Sequence, residues 1–288
     1  MTSFHELLML NTATAYFFLG LFSLAVGSFL NVLIYRLPIM LNAEWRADCR
    51  QLLNLPETNQ PEINLVFPRS FCTKCHTTIP FWHNIPVISF CLLRGKCQKC
   101  NSPISIQYPM VELLCLGLSL ASAWMFGFNI KLLFILPFIW MLIALFFIDL
   151  KHHILPDPIT LSLLWLGLIA NTQAMFTTLP NAVLSAAGAY MSLWIFIKLF
   201  YLATGKIGMG HGDFKLFAAF GAWFGGMMLP FILIFSSLTG AIIGASYLKF
   251  HQKTKETPIP FGPFLCISAL LALFYGQQWL TWYFNLFH

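Results

Sequence analysis

Apolar runs follow one another along almost the whole chain, separated by short polar turns and by one long polar interruption. A helix of about 20 apolar residues crosses the hydrocarbon core of a bilayer. Runs of that kind fall at residues 12–35, 109–126, 131–149, 158–175, 181–203, 213–229, 230–249 and 261–284. The pattern therefore predicts an all-α polytopic membrane protein of about eight transmembrane helices. The runs 213–229 and 230–249 are the hardest to separate, since only Pro230 punctuates them. The interruption, residues 36–108, is polar and Pro-rich and carries eight Lys/Arg, four Asp/Glu and six of the eight cysteines. It reads as a small soluble domain between the first two helices. The expected division is residues 1–35 as the first helix, 36–108 as the soluble domain and 109–288 as a seven-helix membrane domain.

Composition supports this class. The chain is 58% hydrophobic and 9% charged, with a mean hydropathy of +0.75, thirty Phe and nine Trp. Soluble domains carry about 25% charged residues. The first apolar run lacks a basic segment ahead of it and exceeds signal-peptide length, so it is expected to be a retained helix. A net charge of +6 decides little, but its placement decides more. With eight spans, every Lys and Arg except Lys131 lies on, or abuts, the side that holds the soluble domain. Positively charged loops face the cytoplasm. Arg46, Lys151, Lys206 and Lys255 are thus expected inside, and Lys131 and the region of Asn171 outside. The same charges mark one membrane side rather than a basic face, so nucleic acid is not an expected partner.

Ten acidic residues occur in the chain, and an acid in apolar surroundings is costly unless it is paired or functional. Asp149 ends the run LLFILPFIWMLIALFFID, and Asp213 follows the glycine-rich turn TGKIGMGHGD. Both fall on the cytoplasmic side of the predicted topology. Two carboxylates brought together share a proton, so that one activates water while the other polarises a carbonyl. Asp149 and Asp213 are the candidate catalytic pair. Asp213 could alternatively serve only as a helix N-cap. Asp157, just ahead of Pro158, reads as a structural cap, and Glu112 as a capping or pairing residue. His152, His153 and His211 read as solvated turn histidines.

Cys72-Thr-Lys-Cys75 and Cys97-Gln-Lys-Cys100 form two CxxC knuckles separated by 21 residues. Four thiolates suit a closed, structural Zn²⁺ site. Two disulfides or a redox pair are the alternatives, and a cytoplasmic location disfavours disulfides. Cys115 and Cys266 sit in apolar runs and read as small hydrophobes.

Several stretches in this order resemble the bacterial prepilin leader peptidases: GSFLNVLIYRLP (27–38), RGKCQKCNSPISIQYPMVELL (94–114), FIDLKHHILPDPIT (147–160), GMGHGDFKLFAAFGAWFG (208–225) and PIPFGPFL (258–265). The resemblance covers nearly the whole chain. It implies an intramembrane aspartyl endopeptidase of the bacterial inner membrane, with its active site facing the cytoplasm. The implied substrates are type IV prepilins and type II secretion pseudopilins with basic leader peptides. The resemblance also implies N-methylation of the new N-terminus with S-adenosylmethionine as donor, and it maps the catalytic acids onto Asp149 and Asp213. No motif places the methyl-transfer site, which is expected in the soluble domain. A presenilin-like protease shares the GxGD turn but is not expected to carry paired CxxC knuckles. A transporter or scaffold using the acids as a proton relay is the non-enzymatic alternative.

Overall fold

The computed structural model describes residues 12–56, 63–205, 208–250 and 259–286, and among these the regular structure is helical apart from two isolated β-bridges. The helices are α1 (Thr12–Leu52), α2 (Ile88–Leu92), α3 (Gln107–Phe126), α4 (Ile130–His152), α5 (Asp157–Asn171), α6 (Leu179–Thr204), α7 (His211–Phe224), α8 (Leu229–Phe250) and α9 (Gly262–Asn285). Short 3-10 turns occupy Phe81–Asn84 and Gly226–Met228. Lys206, Lys255 and the residues ahead of the first helix, all of which bore on the expected topology, lie outside the described residues.

Each of the eight expected spans is a helix, and six are long and apolar enough to cross a membrane. The two exceptions are α5 and α7, with 15 and 14 residues. At 1.5 Å per residue they are roughly 23 and 21 Å long, against a hydrocarbon core of about 30 Å. Local chemistry stops both. Pro156 precedes α5, and α7 ends on Gly225, whose φ of +74° closes the helix and separates it from the 3-10 turn that leads into α8. That turn also resolves the ambiguous apolar stretch around Pro230.

The first helix corrects its expected end. Instead of stopping at Tyr35 it continues through Pro38 to Leu52. Proline removes one backbone donor and crowds the preceding turn. Here the residues beyond it, including Met40, Leu41, Ala43 and Glu44, are good helix formers. Leu37 and Pro38 are buried, and the Asn42 side-chain amide donates to the Pro38 carbonyl at 2.8 Å. Arg36, which is also buried, donates to the Asn64 and Pro68 carbonyls and ties the following loop to α1.

The chain forms two compact units, residues 1–144 and 145–288. Within the first unit there is a close helix crossing. A Cβ at Gly27 would sit 2.8 Å from the Glu112 Cα, so α1 and α3 touch backbone to backbone. Trp140 of α4 packs edge-on against Phe22 and donates its indole N–H to Ser119 at 3.0 Å.

In the second unit α7 is enclosed, with ten of its fourteen residues buried. A Cβ at Gly221 would meet the Ser185 carbonyl oxygen of α6 at 2.6 Å. On the opposite flank the Trp223 indole lies over Gly167 and donates to the Leu163 carbonyl at 2.8 Å. A helix buried in protein on its flanks need not span the bilayer, because its ends are satisfied by protein rather than exposed to lipid. Asn171 supplies part of that satisfaction. Its amide nitrogen donates to the Ala222 and Trp223 carbonyls at 2.7 and 3.1 Å, and its oxygen accepts from the Phe176 and Thr177 N–H groups, each at 3.0 Å. Asn171→Leu would strand all four backbone groups. It should cost about 3 kcal/mol of stability, read as a lower thermal midpoint of the detergent-solubilised protein. An unchanged midpoint would show that the clamp contributes nothing.

Candidate active site

Asp149 lies in the last turn of α4 and is 5% exposed. Its carboxylate accepts the backbone N–H of Gly262, the first residue of α9. Gly262 approaches it closely: a Cβ there would stand 2.6 Å from Asp149 Oδ2. Leu155, in the turn after α4, fills the remaining corner. The same Cβ at Gly262 would meet Leu155 Cδ2 at 3.1 Å, and a Cβ at Gly212 would meet Leu155 Cβ at 2.9 Å. One leucine thus joins the starts of α7 and α9 to the end of α4.

Asp213 is in the first turn of α7 and 9% exposed. It is not the N-cap. Gly210 holds that position, and Asp213 is the third helical residue. Its carboxylate reaches back to the Gly210 N–H while its own N–H donates to the Gly210 carbonyl at 3.3 Å. This is the carboxylate half of a capping box, with glycine where a serine or threonine would otherwise stand. The arrangement occupies only part of the carboxylate. Asp213 Oδ1 is buried and has no hydrogen-bond partner. Buried carboxylate oxygens are costly unless bonded to a donor, a shared proton or a ligand.

Asp149 lies within electrostatic reach of Asp213. Cys266, one turn into α9 and fully enclosed, is within reach of both carboxylates. The two acids singled out by sequence are therefore brought together where α4 ends and α7 and α9 begin. Such a pair, with one oxygen unsatisfied, can hold a proton and a water against a carbonyl, which is the geometry for acid–base hydrolysis.

The other candidates are placed around the pair. His153 is within electrostatic reach of Asp149. The His211 ring packs edge-on against Phe214. Asp157 is the first residue of α5 rather than a side-chain cap, and it accepts two bonds from Lys215 Nζ at 2.6 and 2.7 Å. The ion pair links the starts of α5 and α7 and is partly exposed. Sequence reasoning gave no role to Gly262. Its signal was the motif PIPFGPFL, in which Pro260 and Pro263 stiffen the backbone on either side of one glycine.

In the first unit, the Sγ atoms of Cys72, Cys75, Cys97 and Cys100 lie within 4.8 Å of one another and could hold a metal ion. The two knuckles are built alike. Cys72 N–H donates to Thr77 O and His76 N–H to Cys72 O; Cys97 N–H donates to Ser102 O and Asn101 N–H to Cys97 O, all at 2.9 Å. Each is closed by one β-bridge, Phe71 with Thr78 and Lys96 with Pro103. Cys72 Sγ and Cys100 Sγ stand 3.8 Å apart, close to the roughly 3.8 Å edge of a tetrahedron with 2.3 Å metal–sulfur bonds. Backbone N–H groups of Cys75 and Lys74 aimed at the Cys72 sulfur bring that thiol down to about 6, which favours the thiolate that a metal binds. All eight cysteines are free of disulfides. Cys115 and Cys266 are buried, as expected of small hydrophobes, while Cys49 and Cys91 are exposed.

Comparison with known proteins matches the two parts of the chain separately. Residues 21–126 match the bacterial peptidase A24 N-terminal domain, and residues 136–245 match the type IV leader peptidase family. Similar curated proteins carry the name prepilin leader peptidase/N-methyltransferase. One from Legionella pneumophila is 58% identical over 269 residues, covering 93% of this chain and 94% of the relative. Another from Pseudomonas aeruginosa is 47% identical, covering 90% and 89%, and one from Dichelobacter nodosus is 45% identical, covering 94% and 95%. No solved structure matches the chain.

Proposed function

The chain belongs to the type IV leader peptidase family, and we propose that Asp149 and Asp213 are the pair with which it removes basic leader peptides from prepilins. It is a protease with N-methyltransferase activity, acting on prepilin leader peptides and on the N-terminus that cleavage exposes. The presenilin-like and transporter alternatives are not favoured. The observation that carries the assignment of the pair is the buried, partnerless Asp213 Oδ1 beside Asp149.

The pair shares a proton in the resting protein. The ionised carboxylate takes a proton from water, which attacks the scissile carbonyl. The protonated carboxyl donates a hydrogen bond to the carbonyl oxygen, and the amide nitrogen leaves as an amine after accepting a proton. Gly262 N–H fixes the Asp149 carboxylate, and Gly210 N–H fixes that of Asp213. A leader is polar and basic, whereas the mature segment begins as an apolar helix, so the scissile bond lies at a membrane boundary. The Lys/Arg asymmetry supports the cytoplasmic face of the inner membrane as that boundary, with type II secretion pseudopilins as further substrates. Mass spectrometry of a model prepilin incubated with purified protein, with and without S-adenosylmethionine, tests this reading. Leader loss in both conditions, plus a methyl added to the mature product only with the donor, is expected. An intact prepilin in both would contradict it.

The four-cysteine cluster is proposed to hold one structural Zn²⁺ per chain, bound by Cys72, Cys75, Cys97 and Cys100. A closed sulfur tetrahedron leaves no open position for catalysis, and the ion's role is to fold a domain with little core of its own. Replacing any one ligand with serine should lower zinc below about half an equivalent by elemental analysis and destabilise residues 63–106 in hydrogen exchange. Metal-free wild-type protein with the same exchange protection would refute the role. S-adenosylmethionine supplies the methyl group for the second activity. The carboxylate pair contributes nothing to that transfer, so Asp213→Asn protein given a pre-cleaved substrate should still methylate it.

A further inference from the structure

The segment between the two cysteine knuckles presents an apolar stripe that the protease chemistry does not use. Ile88 and Leu92 stand one turn apart on the short α2 and Ile85 lies just ahead of it; the three are 56%, 78% and 45% exposed. Trp82, at 54%, extends the same stretch. Three large aliphatic side chains left this open in a polar domain mark a surface that meets another apolar phase.

A hydrogen bond fixes how deep that stripe lies. The Val87 N–H, in the middle of the stripe, donates to Glu112 Oε2 at 2.7 Å. Glu112 is the sixth residue of α3, a 20-residue helix apolar enough to cross a membrane. At 1.5 Å per residue the Glu112 Cα stands roughly 8 Å along α3 from its start, and its carboxylate tethers Val87 beside the first two turns of that helix. Glu112 is itself enclosed: it is buried, and its backbone is pressed against Gly27 of α1. One turn away, Asn31 of α1 donates to the Tyr108 carbonyl at 3.0 Å, so the polar joint has a second strut. Val87 holds a φ of +60°, rare for a β-branched residue, as its N–H turns toward the carboxylate.

Amphipathic segments that lie in a bilayer interface bury their apolar face about 5–10 Å into the headgroup and acyl boundary. The tether puts the stripe at that level. Charge agrees: residues 69–108 contain Arg69, Lys74, Arg94, Lys96 and Lys99 and not one Asp or Glu. Lys74, Lys96 and Lys99 lie at or near the surface, and basic residues beside an apolar face attract anionic lipid headgroups.

We propose that residues 82–92 are an interfacial anchor, docked on anionic lipid through Ile85, Ile88 and Leu92, which holds the four-cysteine domain against the membrane surface. The inference concerns lipid contact, so it stands or falls independently of proteolysis.

The test places a diazirine-bearing amino acid at Ile88 or Leu92 of the full-length protein in nanodiscs of phosphatidylcholine and phosphatidylglycerol. The same probe at Glu44, on the exposed end of α1, serves as reference. Illumination followed by mass spectrometry should give lipid adducts at positions 88 and 92 about tenfold above position 44. Adducts to the protein itself, or a lipid yield no higher than at Glu44, would overturn the proposal. A second arm carries the probe at Ile85 in the Ile88→Glu, Leu92→Glu variant, with metal content as the check on folding. Its lipid adducts should fall about fivefold relative to the unsubstituted stripe. An unchanged yield in that metal-replete variant would equally overturn it.

Discussion

Gly262→Ala should lower leader cleavage by about 10² while leaving protein level and metal content unchanged. The methyl group would overlap Asp149 Oδ2, at 2.6 Å from the added Cβ, and crowd Leu155 Cδ2 at 3.1 Å. Both are ends of side chains, and neither is backbone, so the fold can absorb the substitution by turning them aside. The carboxylate then loses its position against Asp213 and weakens its bond to the Gly262 N–H. A displacement on the order of 1 Å at a reacting group costs about that factor in rate. Gly188→Ala is the matched reference, because nothing lies within 4 Å of a Cβ there. Single-turnover cleavage of a model prepilin should fall in the first variant and stay near the wild-type rate in the second. Equal rates for the two would show that Gly262 does not position Asp149.

Much of this arrangement was legible in the sequence, for a physical reason. Membrane helices announce themselves by continuous apolar runs, so a helix appears at each of the eight expected places, six of them long enough to cross a bilayer. With eight spans, the Lys/Arg asymmetry leads to the expectation that both acids lie on one side of the membrane, and the fold brings Asp149 and Asp213 within electrostatic reach of each other inside one unit. The CxxC spacing likewise predicted a four-sulfur cluster. Properties that depend on tertiary satisfaction were not legible. Pro38 reads as a helix stop, yet α1 passes through it because buried packing and favourable residues beyond outweigh one lost hydrogen bond. Pro156 ahead of α5 and Gly225 after α7 bound two helices too short to span, and Asn171 satisfies the end of α7 inside protein, whereas composition alone suggests full spans. The capping alternative for Asp213 could not be decided from sequence, because acids favour helix starts; in the fold Gly210 is the N-cap, and the Asp213 carboxylate bonds back to its N–H while Oδ1 keeps no partner. Gly262 is some fifty residues from Asp213 and more than a hundred from Asp149, so only the fold reveals that its N–H and its missing side chain shape the site.

The largest expected effect belongs to the acids. Asp149→Asn and Asp213→Asn should each reduce cleavage by a factor on the order of 10³ or more. Asparagine keeps the size of the side chain and can still accept the Gly262 or Gly210 N–H, so local structure is retained. It cannot carry the shared proton, activate water, or alternate between donor and acceptor as the reaction proceeds. Because the two groups act as a unit, the double variant should be scarcely worse than either single one. Asp157→Asn is the informative contrast. Its carboxylate bonds Lys215 at a partly exposed position, and ion pairs of that kind contribute about 0–1 kcal/mol, so a substantial part of the activity should remain. Wild-type cleavage should have a bell-shaped pH dependence with two limbs that belong to the pair rather than to either residue.

The most direct measurement is mass-spectrometric counting of cleaved and intact prepilin over a single turnover, with purified wild-type, Asp149→Asn, Asp213→Asn and Asp157→Asn proteins matched for metal content. Loss of the leader with wild-type and Asp157→Asn protein, and intact prepilin with both other variants, is the result predicted. Near-wild-type cleavage by either Asp149→Asn or Asp213→Asn would contradict a paired-carboxylate mechanism outright.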